Sequence, residues 1–257
     1  MAKKEVAEVK SEVEVLDAEV KAEESTALVN YEDELAKYAV EATEQEALGG
    51  TFVSMKAGIM KINGNPCAGN KLDCIVIAST IENAYYPGKY DPNNTVPPKC
   101  YAFGEDEDTM APHPDVKTPE SESCLLCPRN QWKGDGTGKE CKNVRRLALL
   151  PADAINDPDK IMGIEQIYAK LPVTSVKSWG KYVHAVATEF KRPPFAVITT
   201  ISTEPDEKTQ FKVMLKCKAN IPTGPVVNAL IRCHNKAKET VKFPYPTLVE
   251  KAQSEKF

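Results

Sequence analysis

The sequence predicts an α+β fold that is mainly β. Three observations lead there. Short β-prone runs recur from Thr51 to Ala219. Beyond Gly50 only two stretches carry the apolar spacing of a helix. Between the second and third runs lies a segment, residues 99–141, with neither period but with four of the chain's eight cysteines at or near its ends and centre.

Residues 1–48 precede the folded part. They hold fourteen acidic residues against five lysines, a net charge of −9, which leaves +5 on the rest of the 257-residue chain. An acidic arm before a mildly basic body has the pattern of a solubilising or interaction tail. Residues 1–28 read as disordered, because their valines follow no helical or strand period. A short helix is expected around "YEDELAKYAVEATEQEAL", and Gly49-Gly50 ends it at a domain boundary.

The elements of the domain, residues 49–241, follow in order. "TFVSMKAGIMKI" (51–62) reads as one strand with Gly58 as a bulge, and "KLDCIVIASTIENAYY" (71–86) as a second, closed by Pro87-Gly88. "KNVRRLALLP" (142–151) is a strand returning to the core, and "KIMGIEQIYAKLPV" (160–173) another. In "TSVKSWGKYVHAVATEF" (174–190), Val176, Trp179, Val183, Val186 and Phe190 recur at helical spacing, with Thr174 or Ser175 as N-cap. "FAVITTIST" (195–203) and "QFKVMLKCKA" (210–219) form a hairpin across "EPDEKT". A last helix runs from Pro225 to Val241, and 242–257 is an irregular tail. Strands, an insertion, a helix and two further strands come in the order of an OB-like five-stranded barrel, here with the cysteine segment inserted and a C-terminal helix added.

Cys100, Cys124, Cys127 and Cys141 give the pattern C-x23-C-x2-C-x13-C. A C-x2-C pair chelates one ion from a tight turn. Two flanking thiolates complete the tetrahedron that structural Zn²⁺ prefers. The segment from Pro97 to Cys141 contains Gly104, Gly134, Gly136, Gly138, five prolines from Pro97 to Pro119 and the acidic run at 105–108, so it cannot build an apolar core. Metal binding, at about 10–16 kcal/mol, orders such a segment where burial cannot. His113 is an alternative to Cys100 as ligand. Four protein ligands leave no open position, so the Zn²⁺ is expected to be structural. Cys67, Cys74, Cys217 and Cys233 read as small core residues.

Single-stranded nucleic acid is held by cations that neutralise phosphate and rings that stack on bases. Candidate contacts are Lys56 and Lys61 on the first run and Tyr85, Tyr86, Lys89 and Tyr90 at the end of the second. Tyr101, Arg129, Trp132, Lys133 and Lys139 belong to the insertion, Arg145 and Arg146 follow it, and Lys212, Lys216 and Lys218 project from one strand. Trp179 sits on an apolar stripe and reads as core.

"CLLCPRNQWKGDGTGKECKNVRRLALLP", followed by "LPVTSVKSWGKYV" and "PFAVITTIS", resembles a group of bacteriophage single-stranded DNA-binding proteins over roughly residues 50–220. The resemblance implies an OB-type domain with a metal-binding insertion, acting in phage DNA replication or recombination. Replication or recombination proteins are the expected partners of the acidic N-terminal arm. Here the chain departs from the pattern, for familiar single-strand binders carry their acidic tail at the C-terminus.

An enzyme is not expected. The chain has no GxxxxGK[ST], no HExxH and no dinucleotide-type glycine turn. Of the three histidines, His184 lies on the helix at 174–190 off its apolar stripe and His234 in the last helix, and neither has an obvious Ser or Cys catalytic partner. No apolar run reaches the ~18 residues that span a bilayer, and "MAKKEVAEVKSEVEV" lacks a secretory signal. The expected setting is the cytoplasm, that of the host if a phage encodes the protein.

Overall fold

The computed structural model describes Leu35 and residues 50–88, 96–136 and 138–245. The acidic arm and its expected helix therefore lie outside the described residues, apart from a helical Leu35, as do Lys89 and Tyr90. The described residues from Gly50 onward form one compact unit.

Its strands are β1 (Thr51–Lys56), β2 (Ile59–Ile62), β3 (Asn65–Pro66), β4 (Lys71–Tyr85), β5 (Cys100–Gly104), β6 (Lys142–Pro151), β7 (Ile167–Leu171), β8 (Val197–Asp206) and β9 (Gln210–Asn220). Helices α1 (Val173–Glu189) and α2 (Pro225–Thr240) complete it. The strands form one sheet in the order β3-β2-β1-β7-β6-β4-β8-β9, with β5 also paired to β4. The fold is thus α+β and mainly β, as expected, but the sheet has nine strands where five were expected.

Two of the differences come from local backbone chemistry. The single strand expected over 51–62 is a tight hairpin, β1–β2. Its turn residues Ala57 and Gly58 both have positive φ, +50° and +75°. A two-residue turn of that kind matches strand twist. Only the glycine announces it in sequence. Residues 160–173 spend their first half in a 3-10 turn, Ile161–Gly163, so the strand is confined to β7.

Near the β1–β2 turn the sheet curls on itself. Asn70 Nδ2 donates to the Gly58 carbonyl at 2.7 Å, the Thr203 hydroxyl bonds the same oxygen, and the Gly58 backbone lies against Phe211. The inner face of this half-barrel is core. Val53, Met60, Leu147, Leu149 and Ile201 meet Trp179, Tyr182 and Val186 of α1 there. Trp179 is therefore a core residue, as the sequence indicates. The outer face of the sheet carries α2, whose Leu230, Cys233 and Ala237 cover Ile75, Ile77 and Leu150.

The start of α1 corrects another expectation. Neither Thr174 nor Ser175 caps it, and Pro172 stands at the N-cap. Ser175 is fully buried, and its Oγ instead accepts from the Val213 backbone N–H of β9 at 3.0 Å. β9 is an edge strand, so this hydroxyl supplies an acceptor that a neighbouring strand would otherwise provide. Ser175→Ala would leave a buried donor unpaired. It is expected to cost about 1–3 kcal/mol, read as a lower urea midpoint at unchanged slope.

Candidate metal centre and nucleic-acid interface

β4 is long enough to serve two neighbours along one side. Its first residues, Lys71–Cys74, pair with β8, and its last, Ile81–Tyr85, pair with β5. β6 pairs along the other side as far as Ala84↔Lys142. The far end of β4 is thereby flanked by Cys100, opposite Tyr85, and by Cys141, which directly precedes β6. The loop between β5 and β6 returns over this end. Cys124 N–H donates to the Met110 carbonyl at 2.9 Å, and Cys141 N–H to that of Arg129 at 2.8 Å. After Cys127 the chain makes a tight 3-10 turn, with Asn130 N–H on the Cys127 carbonyl at 2.9 Å.

All four cysteines consequently line one cavity of about 20 Å³. That is room for about one water-sized body. His113 is not among its lining residues; it stacks on Tyr101 and bonds the phenol at 3.2 Å. Cys100, not His113, is thus the fourth neighbour of the cluster. Burial raises the pKa of Cys100 and Cys124, and burial together with the three neighbouring thiols pushes Cys141 up to about 12. Glu120 also lines the cavity, but its carboxylate is engaged by Lys99 at 2.6 Å and Arg129 at 3.2 Å. The thiols share this space without converging on a point, for among the described residues no three Cys, His, Asp or Glu are gathered as ligands for an ion. The donor set is soft, crowded and enclosed. Its residue types suit Zn²⁺, and a bound dication would favour the thiolates that their mutual proximity opposes.

Sequence reasoning missed the polar scaffold of this cluster. Asn143 Nδ2 donates to Asn83 Oδ1 at 2.5 Å and to Asn130 Oδ1 at 2.8 Å, and Asn130 Nδ2 donates to the Cys124 carbonyl at 2.8 Å. Asparagine is depleted in strands, so Asn83 and Asn143 within β-prone runs were the available signal.

The predicted nucleic-acid contacts fall into three places. Tyr85, Arg129, Trp132, Lys133 and Lys139 share the cysteine knuckle. The Arg129 guanidinium lies 5.0 Å from the Tyr85 ring centroid, and Lys139 Nζ lies 5.7 Å from that of Trp132, a side chain 76% exposed. Glu140 engages both Arg129 and Lys133 at 2.7 Å. The second place is the outer face of β1, β2 and β9, where Lys56, Lys61, Lys212, Lys216 and Lys218 are exposed. Lys212 pairs with Asp206, and Lys218 with Asp73. The hollow of the sheet cannot be the trough for these lysines, because core side chains fill it.

The third place corrects the prediction. Arg146 and Tyr101 are buried, 1% and 6% exposed, on the outer face of the sheet beneath Phe243 and Tyr245. Neither offers itself to solvent in this arrangement. Arg145 is half-buried on the other face, and burial pulls its pKa down. Tyr85 and Tyr86 do point to opposite faces, Tyr85 into the cysteine cavity and Tyr86 toward Tyr245.

Comparison with known protein families, curated proteins and solved structures returns no match. Among the described residues no helix is long and apolar enough to cross a membrane.

Proposed function

We propose that this chain is a single-stranded DNA-binding protein that acts in phage DNA replication or recombination, in the host cytoplasm. Its domain is read as an elaborated OB-like half-barrel. Cys100, Cys124, Cys127 and Cys141 hold a structural Zn²⁺ that fixes the knuckle on the end of β4. The observation that carries this reading is the exposed Trp132 with Lys139 over its ring, beside Arg129 and Lys133, on a knuckle too polar to fold for its own sake. Rings accept unpaired bases of any sequence, and the cations exchange their surface carboxylate partners for phosphates at little cost.

Binding of labelled oligo-dT tests the reading. Affinity is expected to fall as salt rises. Trp132→Ala should weaken binding by about 1–3 kcal/mol, the loss of one stacked base. Lys133→Ala with Lys139→Ala should flatten the salt dependence. An absence of binding at low salt would overturn it.

A second reading is favoured by Leu125 and Leu126, which are 47% and 76% exposed at the turn of the knuckle. Leucines do not recognise bases. They suit a protein partner, and the knuckle would then be the grip of an interaction module such as a virion component or transcription factor. The low-salt measurement separates the two.

A further inference from the structure

The last described residues do not trail from the fold. They cross the outer face of the sheet beside α2 and lie on a wall of rings and charges. Phe243 packs edge-on against Tyr168 and Phe52, with ring centroids 4.8 and 5.8 Å away. Tyr245 meets Tyr101 at 5.0 Å. The Arg146 guanidinium lies 4.0 Å from the Phe243 ring centroid and 4.5 Å from that of Phe103, and donates to the Phe243 carbonyl at 2.8 Å. Lys170 Nζ contacts the Tyr245 hydroxyl at 2.6 Å and sits 4.5 Å from its ring centroid. Glu82 lies at the centre of this wall and bonds Arg146, Lys170 and Tyr245.

We propose that this wall is a nucleobase-binding surface which the chain's own Phe243 and Tyr245 occupy, so that single-stranded DNA binds there when the strap lifts. The proposal rests on the single-strand reading above and extends it to a second site. Each contact of the strap has an equivalent in a nucleotide. The two rings stand where unpaired bases stack on Tyr101, Phe52 and Tyr168. The Phe243 carbonyl takes from Arg146, and the Tyr245 hydroxyl from Lys170, the places that phosphate oxygens would fill. With the strap lifted, Arg146 and Lys170 lose the acceptors that the Phe243 carbonyl and the Tyr245 hydroxyl supply, and their donors are open to phosphate oxygens.

The strap does not work by charge. Residues 243–257 contain Glu250 and Glu255 against Lys251 and Lys256, a net charge of zero. Removing them changes no long-range field. A gain in affinity on their removal therefore reports the uncovered surface and not relief of repulsion.

The test is fluorescence anisotropy of labelled oligo-dT with the full chain and with a chain ending at Lys242, which keeps α2. When the binding-competent state is about a tenth of the population, removing the competitor tightens apparent binding about tenfold. That tightening, retained in the full-length double variant Phe243→Ala and Tyr245→Ala, is the expected result. Tyr101→Ala in the shortened chain should then abolish it. Unchanged or weaker binding by a shortened chain that still melts cooperatively would overturn the proposal. If the shortened chain does not fold, the full chain decides, because saturating oligo-dT must then accelerate tryptic cleavage after Lys242, and an unaltered rate rejects the wall. Binding by the full chain without tightening on truncation would sink the wall alone. Binding by neither chain would sink the single-strand reading with it.

Discussion

Replacing Cys124 and Cys127 with serine should strip the protein of zinc and open residues 105–140 to proteases while the sheet stays folded. The knuckle has little else to hold it. Met110 and Cys124 are its contributions to a small core with Ile81 and Ala102, and beyond it stand the His113–Tyr101 stack, two cation–ring contacts, hydrogen bonds and surface ion pairs. Pairs of that kind contribute about 0–1 kcal/mol each. A structural zinc site contributes about 10–16 kcal/mol, so its loss exceeds everything else in the loop. The sheet is independent of it, because α1 and α2 close the two larger cores on either face. Metal analysis should fall from one zinc per chain to none, and limited proteolysis should cut between β5 and β6. Retained zinc with an uncut loop would show that these two thiols are not ligands. Zinc affinity in the native protein should also fall as pH is lowered. Protons compete for the thiols, and burial with mutual repulsion already holds Cys100, Cys124 and Cys141 on the protonated side.

Legibility in the sequence followed periodicity. β4, β6, β8, β9 and both helices are where their patterns place them, since each buries one face or both against a core that reads only apolar spacing. The β1–β2 hairpin was not legible because its turn uses Ala57 where Asn or Asp would have announced a positive φ. Cys100, Cys124, Cys127 and Cys141, grouped by their spacing in the sequence, line one cavity. Their asparagine support was not legible, since Asn83, Asn130 and Asn143 meet only after β4 and β6 pair. The adjacent Arg145 and Arg146 looked alike as surface cations. A strand sends neighbours to opposite faces, and what covers each face is decided by chain far away: Glu82 is 64 residues from Arg146, and Phe243 is 97.

That same buried pair sets the largest expected effect of a single substitution outside the knuckle. Glu82→Gln should lower stability by about 3–5 kcal/mol at neutral pH, measured by urea unfolding. Glu82 and Arg146 are each 1% exposed, and they meet at 2.7 Å with Lys170 on the second carboxylate oxygen at 2.7 Å. Glutamine keeps the size and one acceptor but leaves the guanidinium without its counter-charge beneath the strap. An isolated buried cation costs more than the pair stabilised. The direction of the pH dependence follows. Burial works to raise the Glu82 pKa, yet the charges of Arg146 and Lys170 prevail and hold it below its ordinary 4.5. A depressed carboxyl stabilises the fold fully above the unfolded value and loses that contribution as pH falls through the lower, folded value. The gap between native and variant should therefore be widest near neutrality, begin to narrow below about pH 4.5, where the unfolded carboxyl takes up its proton, and close as pH falls through the lower, folded value. A gap that stayed constant into acid would mean that shape and not charge is what Glu82 supplies. Lys170→Met should cost less than Glu82→Gln at every pH, because Lys170 is about a third exposed and leaves the Glu82–Arg146 contact in place.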